Sequence, residues 1–388
     1  MSCQRECELV ANTDVLRKTT GIDKMHDRYH SRLNNLRKSL KKAKVDAILV
    51  TNFTNVTYLT GFTGEDSYLL VTRDSEILLS DSRFTTELQE ECPGLDLEIR
   101  KTGISMLEAT GKLIKKHRLS NLAVEGDAIP VSLYQALHEA LKSTELHVTS
   151  GMIEALRELK DRDEILELRD SVRLAERTFS VIRAGLRGDQ TEKWIAAEIE
   201  HQIRLFGGKG CSFDPIVAVG ARAALPHAVP TEQRIEEGDF VLIDWGAFGS
   251  LYASDLTRIL VTGKISPKLE RIYGVVLKAQ LQAIASIKPG ALMSDVDAAA
   301  RKVITKAGFG PRFGHGLGHG IGLEIHEAPR LAMKQDRPLR AGMVITVEPG
   351  IYIPGWGGVR IEDDVLVTRR GHEVLSNVPK ALDACIVD

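Results

Sequence analysis

Carboxylates stand inside the most apolar stretches of this chain. Asp244 ends the run in "VLIDWGA" and Glu348 ends the run in "MVITVEPG". Such runs read as buried strands, and a lone buried carboxylate costs several kcal/mol unless something pairs with it. In "FVLIDWGAFGSLYASDLTRILVTG" a glycine-containing turn brings Asp255 back towards Asp244, eleven residues earlier, as a hairpin. The bland alternative is that Asp244 caps the turn and Asp255 bonds to Thr257 or Arg258. "AGMVITVEPGIYIPGWGGVRIEDDVLVT" repeats the pattern with Glu348 and with Glu362, which opens a strand after "GGV". Arg360 is a nearby structural partner for Glu362. Asp363 and Asp364 read as solvated, and strand alternation puts Glu362 and Asp364 on one face with Asp363 on the other.

Four acids at the tips of apolar strands repel one another unless a cation neutralises them. Arg258 and Arg360 are the only basic residues close by in sequence. One or two divalent ions resolve the conflict, and oxygen ligands with an imidazole suit Mn, Co, Fe or Zn.

"RFGHGLGHGIGLEIHEAPR" offers the imidazole. His315 and His319 are four apart, the spacing of a zinc-protease helix, but glycines at 314, 316, 318, 320 and 322 exclude a helix. Each would cost about 1 kcal/mol in a helix interior. Gly316 also stands where that motif needs its glutamate base. In extended backbone both histidines share a face, and the glycines read as clearance for a peptide. His227, between prolines in "ALPHAVP", is a further imidazole in a stiff loop.

Around these residues lies an ordinary globular chain. Its 388 residues predict two domains, and 43% hydrophobic with 27% charged residues is a soluble composition. A formal net charge of -2 gives no footprint for nucleic acid, and no apolar run reaches a membrane span. The first residues lack a signal-peptide core, so a cytoplasmic protein with a polar leading segment to residue 24 is expected. Five scattered cysteines, Cys3, Cys7, Cys92, Cys211 and Cys385, read as reduced thiols. Cys3 and Cys7 have no second pair with which to complete a metal site.

From 25 to 152 helical and strand-like segments alternate, predicting a sheet with helices on both faces. "RYHSRLNNLRKSLKKAKV" is a helix, "DAILVT" a strand, "SYLLVT" and "EILLS" a hairpin, and "NLAVEG" and "ELHVTS" strands flanking further helices. No glycine-rich phosphate loop opens those helices. A boundary near 153 precedes "ALRELKDRDEILELRDSVRLAERTFSVIRAGL", one long helix, and from about 190 glycine-punctuated strands with two more helices are expected.

Asp244, Asp255, His319, Glu348 and Glu362, inside "DWGAFGSLYASDLTR", "GHGIGLEIHEAP", "VEPGIY" and "GGVRIEDD", resemble the pita-bread metallopeptidases. That family includes methionine aminopeptidase, aminopeptidase P, prolidase and creatinase. "NVTYLTGFTG" and "LLSDSR" resemble the creatinase-type N-terminal domain of the proline-specific branch. The resemblance implies an α/β (α+β) chain: an N-terminal creatinase-like mixed α/β domain, 25–152, followed by a C-terminal pita-bread metallopeptidase domain, 153–388. It implies two divalent metal ions, manganese first and cobalt or zinc next, a homodimer, and a proline-containing peptide as substrate.

By the same resemblance Asp244 would chelate one ion, Asp255 and Glu362 would bridge both, and His319 with Glu348 would complete the other. A hydroxide between the ions would be the nucleophile, with Glu348 shuttling its proton to the leaving prolyl nitrogen. His227 and His326 would bond the scissile carbonyl and its tetrahedral intermediate. His315, Arg330 and Arg360 would line the substrate pocket, Arg330 where some prolidases contact the substrate carboxylate. An Xaa-Pro bond is a tertiary amide without an N–H, so a pocket that reads the ring suits it. Ile259 departs from the pattern: many relatives carry there a threonine whose hydroxyl orients the bridging aspartate, which predicts weakened metal binding.

The N-terminal strings lean towards aminopeptidase P, with prolidase as the alternative reading. A metal-free creatinase-like hydrolase or lyase, and a non-enzymatic binding protein, both go with loss of metal ligands, whereas all five are present here.

Overall fold

Between Arg157 and Glu158 the chain divides into two compact units in the structure, a computed structural model that describes residues 21–387. Most of the expected leading segment, with Cys3 and Cys7, lies outside the described residues. Helix α1 (Gly21–Ala43) takes in the last of that segment.

The first unit follows the expected alternation. After α1, which buries Leu33, Leu36 and Leu40, come β1 (Ala47–Val50), α2 (Phe53–Thr60), β2 (Tyr68–Thr72), β3 (Glu76–Asp81) and α3 (Thr85–Glu91). They are followed by β4 (Asp96–Arg100), α4 (Met106–Lys116), β5 (Asn121–Glu125), α5 (Val131–Ala140) and β6 (Glu145–Thr149). The strands form one mixed sheet in the order β4-β3-β2-β1-β5-β6, with β2 and β3 antiparallel as the expected hairpin. Ala47, Leu49, Leu70 and Val124 pack against Leu113 and Ile114 of α4 and Leu137 of α5. Ile48, Val50, Leu69 and Val71 point to the opposite face and are equally buried, so both faces are covered.

The division falls after Arg157 and not at the expected 152/153, because the short helix α6 (Glu154–Arg157) is bonded into the first unit. Asn55 donates to Glu154 at 2.6 Å and accepts from Arg157 at 2.9 Å. The expected long helix therefore begins later, as α7 (Arg162–Ala184). Asp161 starts it with a capping box, accepting from the Glu164 N–H while Glu164 accepts from its own.

Three helices, not the expected two, follow residue 190. The additional one is α8 (Glu192–Leu205), which buries Ile195, Ile199 and Ile203 four residues apart. Then come β7 (Gly210–Cys211), β8 (Ile216–Val219), β9 (Phe240–Trp245), β10 (Ala247–Phe248), β11 (Leu256–Val261), α9 (Pro267–Ser286) and α10 (Met293–Lys306). The last strands are β12 (Gly318–Gly320), β13 (Glu327–Leu331), β14 (Val344–Val347), β15 (Gly350–Ile353), β16 (Gly357–Arg360), β17 (Asp363–Val367) and β18 (His372–Val374). Two antiparallel sheets, β11-β9-β8 and β13-β12-β14-β17-β18, carry the site. A single bridge between Thr257 and Glu362 stitches them together.

Strand alternation decides which side chains reach that seam. Val241, Ile243 and Trp245 of β9 pack with Ala175, Phe179 and Ile182 of α7 and the isoleucines of α8. Phe240 and Leu242 point the other way, with Ile259 of β11, towards α9 and α10. Asp244 shares the parity of Leu242, and Asp255 and Thr257 that of Ile259. No described helix is long and apolar enough to cross a membrane.

Candidate metal centre

Five side chains are delivered by different strand ends. Asp244 faces Thr257 across the β9–β11 pair, and Asp255 stands just before β11. His319 is the middle residue of β12, Glu348 follows β14, and Glu362 sits between β16 and β17. Its N–H donates to the Thr257 carbonyl at 3.2 Å, which fixes its height on the seam.

His319 is prepared as a ligand. Its Nδ1 donates to the Gly320 carbonyl at 3.0 Å, which leaves the lone pair on Nε2. Nε2 lies 3.6 Å from Asp255 Oδ2 and 3.6 Å from Glu348 Oε1. Asp255, His319 and Glu362 each offer an atom within 4.8 Å of the others. Asp244 Oδ1 and Glu362 Oε1 are buried with no hydrogen-bonding partner among the described residues. Buried polar atoms are seldom left so, because an unmet acceptor loses its hydration without return. Burial first, then repulsion from Glu362 and Asp244, pushes the Asp255 carboxyl well above its ordinary value. Burial and repulsion from Glu348 and Asp244 do the same to Glu362. Glu348 is pushed up to about 8 by burial, against the pull of Arg360. A set of oxygens that resist ionisation together, around a neutral imidazole, fits one or two divalent cations.

Arg258 does not supply that charge, and Arg360, paired with Asp244, is one positive charge against four carboxylates. Arg258 pairs with Asp363 at 2.7 Å, on the far side of β17. Lys380, Gln280 and Ser376 also bond to Asp363, which burial would raise but Arg258 and Lys380 bring down to about 2. Asp364 is buried on the site face, where its Oδ2 accepts from the Asp255 N–H at 3.0 Å. Neither aspartate is solvated as expected, although their opposite facing is.

Arg360, expected in the substrate pocket, is only 3% exposed and its bonds are made to protein. Nη2 pairs with Asp244, so Asp244 takes the arginine expected for Glu362. Nε donates to the Thr257 hydroxyl at 3.0 Å, and that hydroxyl donates to Glu362 Oε2 at 2.6 Å. Thr257 thus supplies an orienting hydroxyl to Glu362, whereas Ile259, where a threonine was expected to orient the bridging aspartate, is buried in apolar core.

His315 is half-buried and accepts from the Tyr352 hydroxyl at 3.1 Å, while Arg360 donates to the same hydroxyl at 2.8 Å. Burial pushes the His315 imidazole down to about 4 and keeps it neutral. His326 is exposed, its ring 4.5 Å from that of His319. His227 is exposed on the loop after β8. Arg330 stands opposite His319 in the β12–β13 register, exposed and without an ion pair among the described residues.

Gly318 and Gly320, expected to give clearance for a peptide, serve strand packing, while Gly314 has open space where a side chain would start. A Cβ on Gly318 would lie 2.0 Å from the Thr346 carbonyl oxygen, and one on Gly320 would lie 2.2 Å from that of Ala328. They let β12 press between its neighbours, which sets the depth of His319.

Residues 167–369 match the model of metallopeptidase family M24, and 32–159 match the creatinase/prolidase N-terminal domain. The chain belongs to metallopeptidase family M24. Its architecture is accordingly a creatinase-type N-terminal domain followed by a pita-bread metallopeptidase domain. A solved structure, an Xaa-Pro dipeptidase from Bacillus anthracis, is 40% identical with a TM-score of 0.88, over 92% of this chain and 99% of that one. An X-Pro aminopeptidase structure from Thermotoga maritima is 34% identical with a TM-score of 0.83, over 87% and 97%. The Xaa-Pro dipeptidase of Pyrococcus horikoshii is 34% identical over 344 residues, 88% of this chain and 96% of that one.

Thr257, Tyr352 and Asp364 are bonded to the candidate site residues and were not singled out as site residues from sequence. Thr257 had a signal, since it lies two residues from Asp255 on the same strand face. Tyr352 had none, because Arg360 reaches it through the pairing of β15 with β16 and His315 from the loop before β12.

Proposed function

We propose that the chain is a two-metal Xaa-Pro dipeptidase, or prolidase, cleaving the bond before proline. The observation that carries the reading is the convergence of Asp255, Glu348 and Glu362 on the lone pair of His319, with buried acceptor oxygens left over on Asp244 and Glu362. Support for a dipeptidase over the aminopeptidase P expected from sequence comes from relatives of that name. It also comes from Arg330, whose exposed guanidinium stands across from His319 with no carboxylate partner among the described residues, where the C-terminal carboxylate of a dipeptide would pair with it.

Asp244 would hold one ion, Asp255 and Glu362 both, and His319 with Glu348 the other; manganese is proposed first, then cobalt or zinc. Bound there, the ions would supply a Lewis acid and a water of lowered pKa. The Glu348 carboxylate moves a proton from the attacking water to the prolyl nitrogen. His227 and His326 donate to the scissile carbonyl oxygen as it gains charge. His315, kept neutral by burial and hydrogen-bonded to Tyr352, walls the pocket. A homodimer and a cytoplasmic location complete the proposal.

Elemental analysis of the purified protein tests the metal, with two divalent ions per chain expected. Asp255→Ala, folded as judged by circular dichroism, should lose all hydrolysis of an Xaa-Pro dipeptide. Retained hydrolysis would overturn the reading.

A further inference from the structure

Glu192 opens helix α8, is 0% exposed, and lies on no strand of the metal centre. Its two carboxylate oxygens take hold of the two ends of one loop. Oε1 accepts from the Val219 N–H at 2.8 Å, and Oε2 accepts from the Thr231 N–H at 2.8 Å and the Thr231 hydroxyl at 2.7 Å. Arg222, inside the loop, donates from Nε to both oxygens, at 3.0 and 2.9 Å. From Nη2 it reaches across the loop to the Val229 carbonyl at 2.6 Å. Residues 219–231 are thus closed at the base by one carboxylate and braced in the middle by one guanidinium.

His227 is at the tip, between Leu225 at 53% and Val229 at 76% exposure. The near flank of the loop is pressed onto β16, the strand that ends in Arg360. A Cβ on Gly358 would lie 2.0 Å from the Ala223 oxygen and one on Gly357 2.6 Å from the Gly220 oxygen, so both positions need glycine. Arg360 itself donates to the Pro226 carbonyl at 3.4 Å. At the tip Ala228 alone is buried in the core, flanked by exposed His227 and Val229, so the place of the imidazole rests on that one small side chain together with the clamp at the base.

We propose that Glu192 and Arg222 are positioning residues for His227, fixing the imidazole where the scissile carbonyl is to lie; this rests on the role given to His227 under the proposed function. A misplacement of about 1 Å at such a group costs roughly a hundredfold in rate, with less effect on substrate binding.

Two measurements on the full-length, metal-loaded protein test it, with Arg222→Met as the main variant because Arg222 is partly exposed and its loss leaves the core intact. Hydrogen exchange over 220–230 should quicken by at least about tenfold in Arg222→Met, and in Glu192→Gln, with the other strands unchanged. On an Xaa-Pro dipeptide, Arg222→Met should lower kcat by roughly ten- to a hundredfold with KM little changed, and Arg222→Lys should recover part of it. Added to His227→Ala, Arg222→Met should cost nothing more. Unchanged exchange, or losses that multiply in the double variant, would overturn the proposal. A wild-type protein that cleaves no Xaa-Pro dipeptide would instead fail the proposed function, while the exchange measurement still decides whether the clamp holds the loop.

Discussion

The hydroxyl of Thr257 donates to Oε2 of Glu362 at 2.6 Å and receives the Nε of Arg360 at 3.0 Å. One hydroxyl thereby fixes the direction of a carboxylate whose other oxygen is free for a ligand. Thr257→Val keeps the shape and removes the bond, and should weaken divalent metal binding about 10–100-fold by calorimetry, with Thr257→Ser near wild type. Ile259→Thr should leave metal affinity unchanged and lower stability by about 1–3 kcal/mol, because its hydroxyl would be buried in apolar core. Tighter metal binding by Ile259→Thr would contradict this assignment.

Metal binding should release protons. Glu348 is raised from 4.5 to about 8, so its neutral form predominates at about pH 7 in the metal-free protein. The stability tied to that neutral carboxyl is present below 4.5 and lost as pH rises through about 8. The metal-free protein should therefore melt lower at about pH 9 than at about pH 6, and added divalent metal should erase the difference. Titration calorimetry in buffers of different ionisation enthalpy should count at least one proton released near pH 7. No release would mean that the carboxylates are already ionised.

Asp363 works in the opposite sense. Its carboxyl lies at about 2, below its ordinary 3.8, held by Arg258 and Lys380 against burial. The stability it contributes is present above 3.8 and lost as pH falls through about 2. Asp363→Asn should cost about 2 kcal/mol near neutral pH, and the gap to wild type should close on acidification. Denaturant melts across that range measure it, and a gap independent of pH would contradict the ion pair.

Gly318→Ala should be severely destabilising, by roughly 3 kcal/mol or more, since the new methyl meets strand backbone and not a movable side chain. Thermal melting with and without metal checks this. A variant that folds normally but rejects substrate would restore the reading of these glycines as room for a peptide.

Periodicity made most of the fold legible. The leucines of α1, the β2–β3 hairpin and the apolar runs around Asp244 and Glu348 all needed only local spacing. The break before Arg162 was hidden because the apolar steps continue through it, while the capping box at Asp161 and the bonds of α6 to Asn55 are tertiary decisions. The four candidate carboxylates were legible for one reason, that charge inside apolar strands demands a partner, and His319 only through the family resemblance. Which partner each acid takes was not legible. Sequence neighbours proposed Arg360 for Glu362, but Asp244 and Thr257, more than a hundred residues away, meet Arg360 where β16 packs against β9 and β11. Asp363 and Asp364 looked solvated because burial by α9 and by Asp255 is not written in their own segment.

The most direct measurement compares hydrolysis of an Xaa-Pro dipeptide with that of the matched Xaa-Pro-Xaa tripeptide by the manganese-loaded protein. A dipeptidase that uses Arg330 to hold the substrate carboxylate should cleave the dipeptide at least about tenfold more efficiently, and Arg330→Met should raise KM for it. Cleavage of the tripeptide with the dipeptide left intact would contradict the dipeptidase assignment and return the chain to aminopeptidase P.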